Sequence, residues 1–368
     1  MSDKRSERSL WDIAIDIRND NENKKNGENG EKIPNQQSEE LSILIMGSKG
    51  SGKSTIVLRF LDKDENPKPT VALDYTFGRR AKGHNMQRDI GHIWELGGGA
   101  FLSKLTEVPL KADTIRSTSV LLVVDLSKPN ELWQTMEVLL KTTRATVDKL
   151  LSDLKKENSS LAQEIQDAAW TRFGENHADK SFLTPFPIPL GIVGTKYDIY
   201  QDFDPEKRKM ISRTLRFIAH SNGAHLQYFS SKAEGLITRT RTLFGSLLFR
   251  AAASKVVSTD HNKPIIVPAG HDTFASIGAP PVPTEDLAKL TGRRPYDLWK
   301  AAYASVFPPE NQQDTLKNED ITHNPQYAES GIDSMRAQKD EELERYKRQA
   351  ERKARTSTHG KTTQPREK

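Results

Sequence analysis

The sequence predicts an α/β fold: a doubly wound domain on a mostly parallel sheet, with N- and C-terminal extensions. Three features carry that expectation. The apolar run Ile43-Leu44-Ile45-Met46 leads straight into the glycine-rich octet Gly47-Ser48-Lys49-Gly50-Ser51-Gly52-Lys53-Ser54. Two further apolar runs, Ser119 to Leu126 and Pro187 to Val193, read as strands buried on both faces. Between such runs lie stretches with apolar residues stepping by three and four, the period of helices packed on a sheet.

The elements follow in chain order. Residues 1–40 precede the domain as a docking segment and linker. Within them Ser9 to Arg18 (SLWDIAIDIR) is an isolated apolar segment. Trp11, Ile13, Ile15 and Ile17 alternate as in a strand, whereas Leu10, Ile13, Ala14 and Ile17 share one helical face. Ser9 and Asp12 resemble a capping box, which favours helix. Asn19 to Glu40, rich in Asn, Glu, Lys and Gly, reads as a flexible linker. A tryptophan-anchored segment on such a tether suits docking, on the chain's own body or on a partner.

The domain is expected over residues 41–250. Lys53 to Leu61 forms its first helix, ended ahead of Pro67 and Pro69. Val71 to Arg80 reads as a strand with Tyr75 and Phe77 on one side. Asp89 to Leu96 is a second strand that enters Gly97-Gly98-Gly99. After the run at 119–126, Pro129 and Asn130 introduce a long helix. Leu132, Met136, Leu139, Thr143, Val147, Leu150 and Leu154 give it a stripe of about six turns. Ser160 to Phe173 is a further helix, with Leu161, Ile165 and Ala168 on one face. Behind the strand at 187–193 come a helix over Pro205 to His220, a short strand over Leu226 to Phe229 and a last helix over Gly235 to Arg250. Ligands of doubly wound sheets sit beyond the carboxyl ends of the strands. The octet, the Gly97 turn and the segment after Val193 all fall at such ends and can converge.

Residues 251–310 are expected to pack on the domain or on a partner. Lys263 to Pro283, proline-containing and built around Ile265-Ile266-Val267, should lie extended over a surface. Arg294 to Phe307 has Leu298, Ala302 and Val306 at helical spacing, with Trp299 and Tyr303 one position on. It reads as a short helix closing the body, or as an aromatic anchor for a partner. Residues 311–368 read as a charged tail, largely disordered or partly helical. Its stretch Asp333 to Arg355 mixes Glu, Lys and Arg with few apolar residues.

Composition narrows the function classes. The 368 residues are 35% hydrophobic and 29% charged, as expected for one large domain with polar extensions. No stretch approaches the roughly 20 apolar residues needed to cross a bilayer, so no membrane insertion is expected. Met1 to Arg8 lacks the apolar core of a secretory signal. With no cysteine there is neither a disulfide nor a thiolate metal site, which suits a reducing cytosol. The net charge of +5 resides in the tail, where Met335 to Lys368 carries eleven Lys/Arg against six acids. The remainder is neutral overall, so charge gives no support to a nucleic-acid-binding face.

The octet fits the phosphate-binding pattern G-x-x-x-x-G-K-[ST] at every specified position. Small residues let successive backbone N–H groups turn inward around phosphate oxygens. Lys53 reaches the outer phosphates, the Ser54 hydroxyl ligates Mg²⁺, and the following helix aims its positive end at the anion. Gly47, Ser48, Lys49, Gly50, Ser51, Gly52, Lys53, Ser54 and Thr55 are therefore the expected phosphate-binding residues.

Gly194-Thr195-Lys196-Tyr197-Asp198 follows the strand at 190–193, and here the chain resembles Ras-like GTPases. Their guanine-reading motif, [NT]-K-x-D, is matched by Thr195, Lys196 and Asp198. A carboxylate at Asp198 accepts both guanine N–H groups, a pair that adenine lacks, and the stem of Lys196 lies against the purine. Ser230-Ser231-Lys232 resembles the second base-contacting loop, which adds Ser231 and Lys232. Thr70, in Lys68-Pro69-Thr70, stands where the resemblance implies the switch threonine that contacts Mg²⁺. An ordinary loop threonine is the equal alternative. The chain also departs from the pattern. Where the D-x-x-G-Q turn belongs, it has Glu95-Leu96-Gly97-Gly98-Gly99. Glu95 is one methylene longer than Asp, and Gly99 has no side chain to orient an attacking water. Positioning supplies most of phosphoryl-transfer catalysis, so slow hydrolysis at best is expected, with no catalytic residue.

The whole chain resembles a narrower group. The residues that carry this are Ser9-Leu10-Trp11, the phosphate loop, and Lys68-Pro69-Thr70-Val71-Ala72-Leu73-Asp74-Tyr75-Thr76-Phe77. With them go Trp94-Glu95-Leu96-Gly97-Gly98-Gly99 and Ile265-Ile266-Val267-Pro268-Ala269-Gly270-His271-Asp272. Together they resemble the dynein light intermediate chains over roughly residues 9–350, and the length and short tail resemble the dynein-2 branch. The resemblance implies a Ras-like domain in a non-catalytic motor subunit that packs on and stabilises the dynein-2 heavy chain. Further implied contacts are the other dynein-2 subunits and, indirectly, microtubules and intraflagellar transport trains. The implied setting is cytoplasm, cilium, basal body, axoneme and centrosome. The implied cofactor is structural GDP or GTP with Mg²⁺ at Ser54 and Thr70, or an empty site. The competing expectation is a GTP-hydrolysing molecular switch. An adenine-nucleotide kinase conflicts with Thr195-Lys196-Tyr197-Asp198.

Overall fold

The computed structural model describes residues 40–80, 89–280, 294–309 and 330–359. The Ser9–Arg18 segment and its linker lie outside the described residues, as do the tail residues 310–329 and 360–368.

A sheet of 7 strands in the order β2-β3-β1-β4-β5-β6-β7 forms the body. At its centre β1 (Leu41–Gly47) pairs parallel with β3 (Asp89–Leu96) and β4 (Thr118–Asp125). β5 (Leu190–Thr195) and β6 (His225–Tyr228) extend the parallel set. β2 (Leu73–Arg80) and β7 (Ile266–Val267) run antiparallel at the two edges. A reversed β2 beside β3, with β1 inside and a glycine-rich loop after it, is the Ras-like arrangement.

The apolar runs become the central strands because both faces of the sheet are covered. In β1 alternate residues serve different layers. Ile43 and Ile45 belong to the core under α1 (Lys53–Phe60) and the α6 helix, Glu234–Phe249. Leu44 and Met46 join the opposite core, with Met136 and Leu139 of the α2 helix, Pro129–Glu157. All four β1 side chains are fully buried. β5 starts at Leu190, later than the apolar run suggested, because Pro187 and Pro189 have no N–H to give a ladder. Pro189 keeps one link, its carbonyl accepting from Val120 N at 2.8 Å.

The helical stripe of α2 follows the sequence pattern, except that Leu151 rather than Leu150 is buried in its later turns. α3 (Ser159–Phe173) turns back after Asn158, whose side chain caps it by accepting from Leu161 N at 3.1 Å. The one-turn α4 (Tyr197–Tyr200) leads to α5 (Pro205–Ser221), which packs on the α2 side.

The return segment after α6 is part of the body. Its strand β7 completes the sheet beside β6, and the one-turn α7 (Phe274–Ile277) rests on α5. α8 (Pro295–Val306) then fills the groove between α2 and α5. Trp299 stacks on Phe217 with ring centroids 5.1 Å apart, and the Tyr303 hydroxyl donates to Pro129 O at 2.8 Å. Both aromatic side chains are buried, so the helix closes the body and does not present them to a partner. α9 (Ser330–His359) is exposed from Ser330 to Arg352 and carries Glu341–Arg345 and Glu344–Arg348 pairs on its surface. Among the described residues no helix is long and apolar enough to cross a membrane.

Candidate nucleotide-binding site

The loop between β1 and α1 is shaped by its glycines. Gly50 and Gly52 take φ of 72° and 90°, the left-handed region where side chains strain the backbone. At Gly47 a Cβ would lie 2.1 Å from Val123 O, so only glycine lets β1 leave the sheet beside β4. Lys49 stands exposed at the loop tip, and Thr55 sits in the first turn of α1. Ser51 is fully buried, and its hydroxyl has no hydrogen-bond partner among the described residues.

Lys53 is buried and folds back along the loop. Its ammonium donates to Gly47 O at 3.1 Å and to Ser48 O at 2.8 Å. A lysine has three donors, so one remains for an anion in the cradle. Burial pulls the Lys53 pKa below its ordinary value, and the nearby Glu95 carboxylate opposes that shift.

Glu95, at the end of β3, is where the cation-ligand candidates meet. Its Oε1 accepts from Ser54 Oγ at 2.6 Å and from Thr70 Oγ1 at 2.8 Å. Thr70 is thus tied to the same carboxylate oxygen as Ser54. The strap 70–72 is held from its other side by the glycine turn. Gly97 N donates to Ala72 O at 2.6 Å, and a Cβ at Gly97 would lie 2.4 Å from Thr70 O. Gly98 and Gly99 take φ of 65° and 58° and start the 3-10 segment Gly99–Glu107. A Cβ at Gly99 would come within 3.3 Å of Ser48 Cα. The turn therefore closes against the phosphate loop with backbone alone, and Gly99 brings no group that could orient water.

The residues expected to read a base converge on the same end of the sheet. Thr195 is buried, with Oγ1 2.6 Å from Ser51 O and 3.1 Å from Val124 O, which ties β5 to the phosphate loop. Lys196 takes a left-handed φ of 58°, and its ammonium pairs with the buried Asp125. Asp125 Oδ1 in turn accepts from Ser127 N at 2.9 Å and Ser127 Oγ at 2.6 Å. Asp198 receives Ser230 Oγ at 2.8 Å on one oxygen and Lys232 Nζ at 2.6 Å on the other. The Lys232 ammonium is the main reason that the Asp198 carboxyl lies below its usual range. Ser231 is exposed between these two partners, so Ser230 is the serine whose side chain sets the carboxylate.

The structure brings the expected phosphate and base residues to one end of the sheet, and it adds Asp125 and the side chain of Ser230, which the sequence reading did not count among the site residues. An acid closing the apolar run Val120 to Val124 was the available signal for Asp125. The donor set fits a phosphate chain in the cradle and a purine edge with paired N–H groups at Asp198. Ser54, Thr70 and Glu95 supply the hard oxygen donors that suit Mg²⁺.

Away from this site, His177, Asp179 and His220 place metal-capable atoms within 4.8 Å of one another. Most of their polar atoms have structural partners, although the buried His220 Nδ1 has none among the described residues. His177 donates from Nε2 to Asp272 O at 2.9 Å, and its Nδ1 accepts from Asp179 N at 3.1 Å. His220 Nε2 bonds Asp179 Oδ2 at 2.9 Å, and the same oxygen accepts from Phe274 N at 2.9 Å. The cluster pins the return segment to α5.

Comparison with known proteins gives a consistent result. Residues 26–180 match the model of the family described as dynein light intermediate chain (DLIC). Cytoplasmic dynein 2 light intermediate chain 1 of Bos taurus is 50% identical over 345 residues, covering 92% of this chain and 95% of that protein. The Homo sapiens protein of the same name is 48% identical over 341 residues, covering 92% and 95%. Among solved structures, the crystal structure of the dynein light intermediate chain's conserved domain is similar with a TM-score of 0.48. It shares 14% sequence identity and covers 73% of this chain and 92% of that one.

Proposed function

The chain belongs to the dynein light intermediate chain family, and from that premise we propose that it is a non-catalytic accessory subunit of the dynein-2 motor. Its body packs on the dynein-2 heavy chain and stabilises it, in company with the other dynein-2 subunits. Through the heavy chain it reaches microtubules and intraflagellar transport trains, and it supports retrograde transport, cilium assembly and ciliary length control. It acts in the cytoplasm and at the cilium, basal body, axoneme and centrosome. The observation that carries this reading is similarity to dynein 2 light intermediate chains along nearly the entire length of both chains.

The site adds a physical role. A guanine nucleotide, GDP or GTP, would lie with its phosphates on residues 47–55 and its base against Lys196 and Asp198, near Ser231 and Lys232. Ser54 and Thr70 are the residues that would hold Mg²⁺. A ligand bound only to the folded state stabilises it by mass action without being turned over. Gly99, lacking a side chain, supports retention over hydrolysis. The test is co-purification with a dynein-2 heavy chain, together with heavy-chain levels after removal of this protein. The proposal expects association and a fall in heavy-chain level. Unchanged heavy chain and normal return traffic in cilia would refute it. Steady GTP turnover, with partner binding that differs between GTP and GDP forms, would favour the molecular-switch alternative.

A further inference from the structure

Asp125 closes β4 directly beside the end of β5, where it stands in register with Thr195. Its side chain is only 4% exposed. Oδ1 accepts from Ser127 N at 2.9 Å and from Ser127 Oγ at 2.6 Å, which holds the carboxylate in one orientation. That orientation aims Oδ2 at the Lys196 ammonium. Charge-assisted bonds of this kind are the stronger ones, more so where water is largely excluded. Lys196 itself stands at a left-handed φ of 58°, a conformation that side chains rarely adopt and that the surroundings must hold in place. Its carbonyl accepts from Ile199 N at 3.0 Å and Tyr200 N at 3.1 Å, so the same residue starts the turn of helix that carries Asp198. The side chain is 35% exposed although its charged end is turned in to a buried acid. What it presents along the strand end, two residues from the Asp198 carboxylate, is its aliphatic stem.

We propose that Asp125 is a positioning residue for the base: by taking the Lys196 ammonium it lays the lysine stem down as an apolar floor on which a flat heteroaromatic ring rests beside Asp198. This rests on the nucleotide reading above and deepens it. Recognition of the base is divided between a floor set through Asp125 and an edge read by Asp198. A neutral side chain at 125 still accepts from Ser127 but no longer holds the ammonium, which then leaves for solvent and takes the floor with it.

The experiment titrates the fluorescent GDP analogue mant-GDP into the full-length wild type, Asp125→Asn, Lys196→Met and the double variant, each checked for folding by its thermal melt. Asp125→Asn should weaken binding by about tenfold. In the Lys196→Met background the same change should alter binding by less than about threefold, because no ammonium is left to place. An Asp125→Asn protein that binds within about threefold of the wild type overturns the proposal. So does a loss that persists in full in the Lys196→Met background, since Asp125 would then act on the fold and not through the lysine. A second measurement needs no variant to fold. Acetylation by sulfo-NHS-acetate without added nucleotide, followed by mass spectrometry, should modify wild-type Lys196 about tenfold more slowly than Lys232, whose side chain is 76% exposed. Equal rates at the two lysines overturn the proposal. Absence of saturable mant-GDP binding to the wild type overturns instead the nucleotide reading beneath it.

Discussion

The return segment should come off the body if the Arg216–Asp272 pair is broken from one side. Both side chains are buried, at 7% and 3% exposure. Arg216 Nε donates to Asp272 Oδ2 at 2.7 Å, and its Nη2 donates to Oδ1 at 2.6 Å and to Ser276 Oγ at 2.8 Å. Asp272 Oδ1 also accepts from Thr273 N at 2.9 Å at the start of α7. Replacing Asp272 by Ala leaves a buried guanidinium with one remaining bond. Removing one partner of such a pair costs about 3–5 kcal/mol. At roughly 2–4 °C of melting temperature per kcal/mol for a body of this size, Tm should fall by about 10 °C. Arg216→Met with Asp272→Leu removes both charges and should recover most of that loss, because the penalty is the unpaired charge and not the missing attraction. Calorimetry of the three variants and the wild type is the assay. A single-variant cost below about 1 kcal/mol, or a double variant no better than Asp272→Ala, would refute the reasoning.

Three further outcomes are expected. Trp299→Ala removes a buried ring stacked on Phe217, and should cost about 3–5 kcal/mol in denaturant unfolding and open the chain near α8 to limited proteolysis. Asp198→Asn loses a carboxylate held by Lys232 and Ser230, and should weaken mant-GDP binding by about tenfold or more in fluorescence titration. Stability should fall from pH 7 towards pH 5. Burial pushes the His225 pKa down to about 4, with His271 and Arg172 adding to the shift, and its Nδ1 accepts from Ala269 N at 3.3 Å. The folded state holds this ring neutral while the unfolded chain takes up a proton below about pH 6.5, so stability is lost as pH drops through that range. Between pH 7 and pH 5 this linkage amounts to about 2 kcal/mol at most, and partial exposure of the residue trims it to roughly 1 kcal/mol, measurable as the Tm difference between the two pH values and largely removed in His225→Gln.

The parts of this fold that could be read from sequence are those set by local pattern. Ile43 to Met46 and Ser119 to Leu126 are apolar at every or nearly every position, which few structures but a twice-covered strand accommodate. The α2 stripe repeats over enough turns to identify itself. Boundaries slipped where backbone chemistry overrode apolarity, as at Pro187 and Pro189 ahead of β5. The 3-10 segment after Gly99 was not legible, because it depends on three glycines folding against the phosphate loop. Neither was the Arg216–Asp272 pair, whose members lie 56 positions apart with no pattern linking them. Within the candidate site, motif spacing pointed to Thr195, Lys196 and Asp198, which the fold brings to the strand end beside the glycine-rich loop. The convergence of Ser54 and Thr70 on Glu95 needed the fold, since that contact joins the start of α1, the end of β3 and the strap ahead of β2.

The central claim is that this Ras-like body holds a guanine nucleotide as a structural part and does not turn it over. The most direct measurement denatures the purified full-length protein, identifies and quantifies the nucleotide released, and assays the native protein for phosphate release from GTP. The account predicts about one equivalent of guanine nucleotide and no steady turnover. An empty site, an adenine nucleotide or sustained hydrolysis would contradict it.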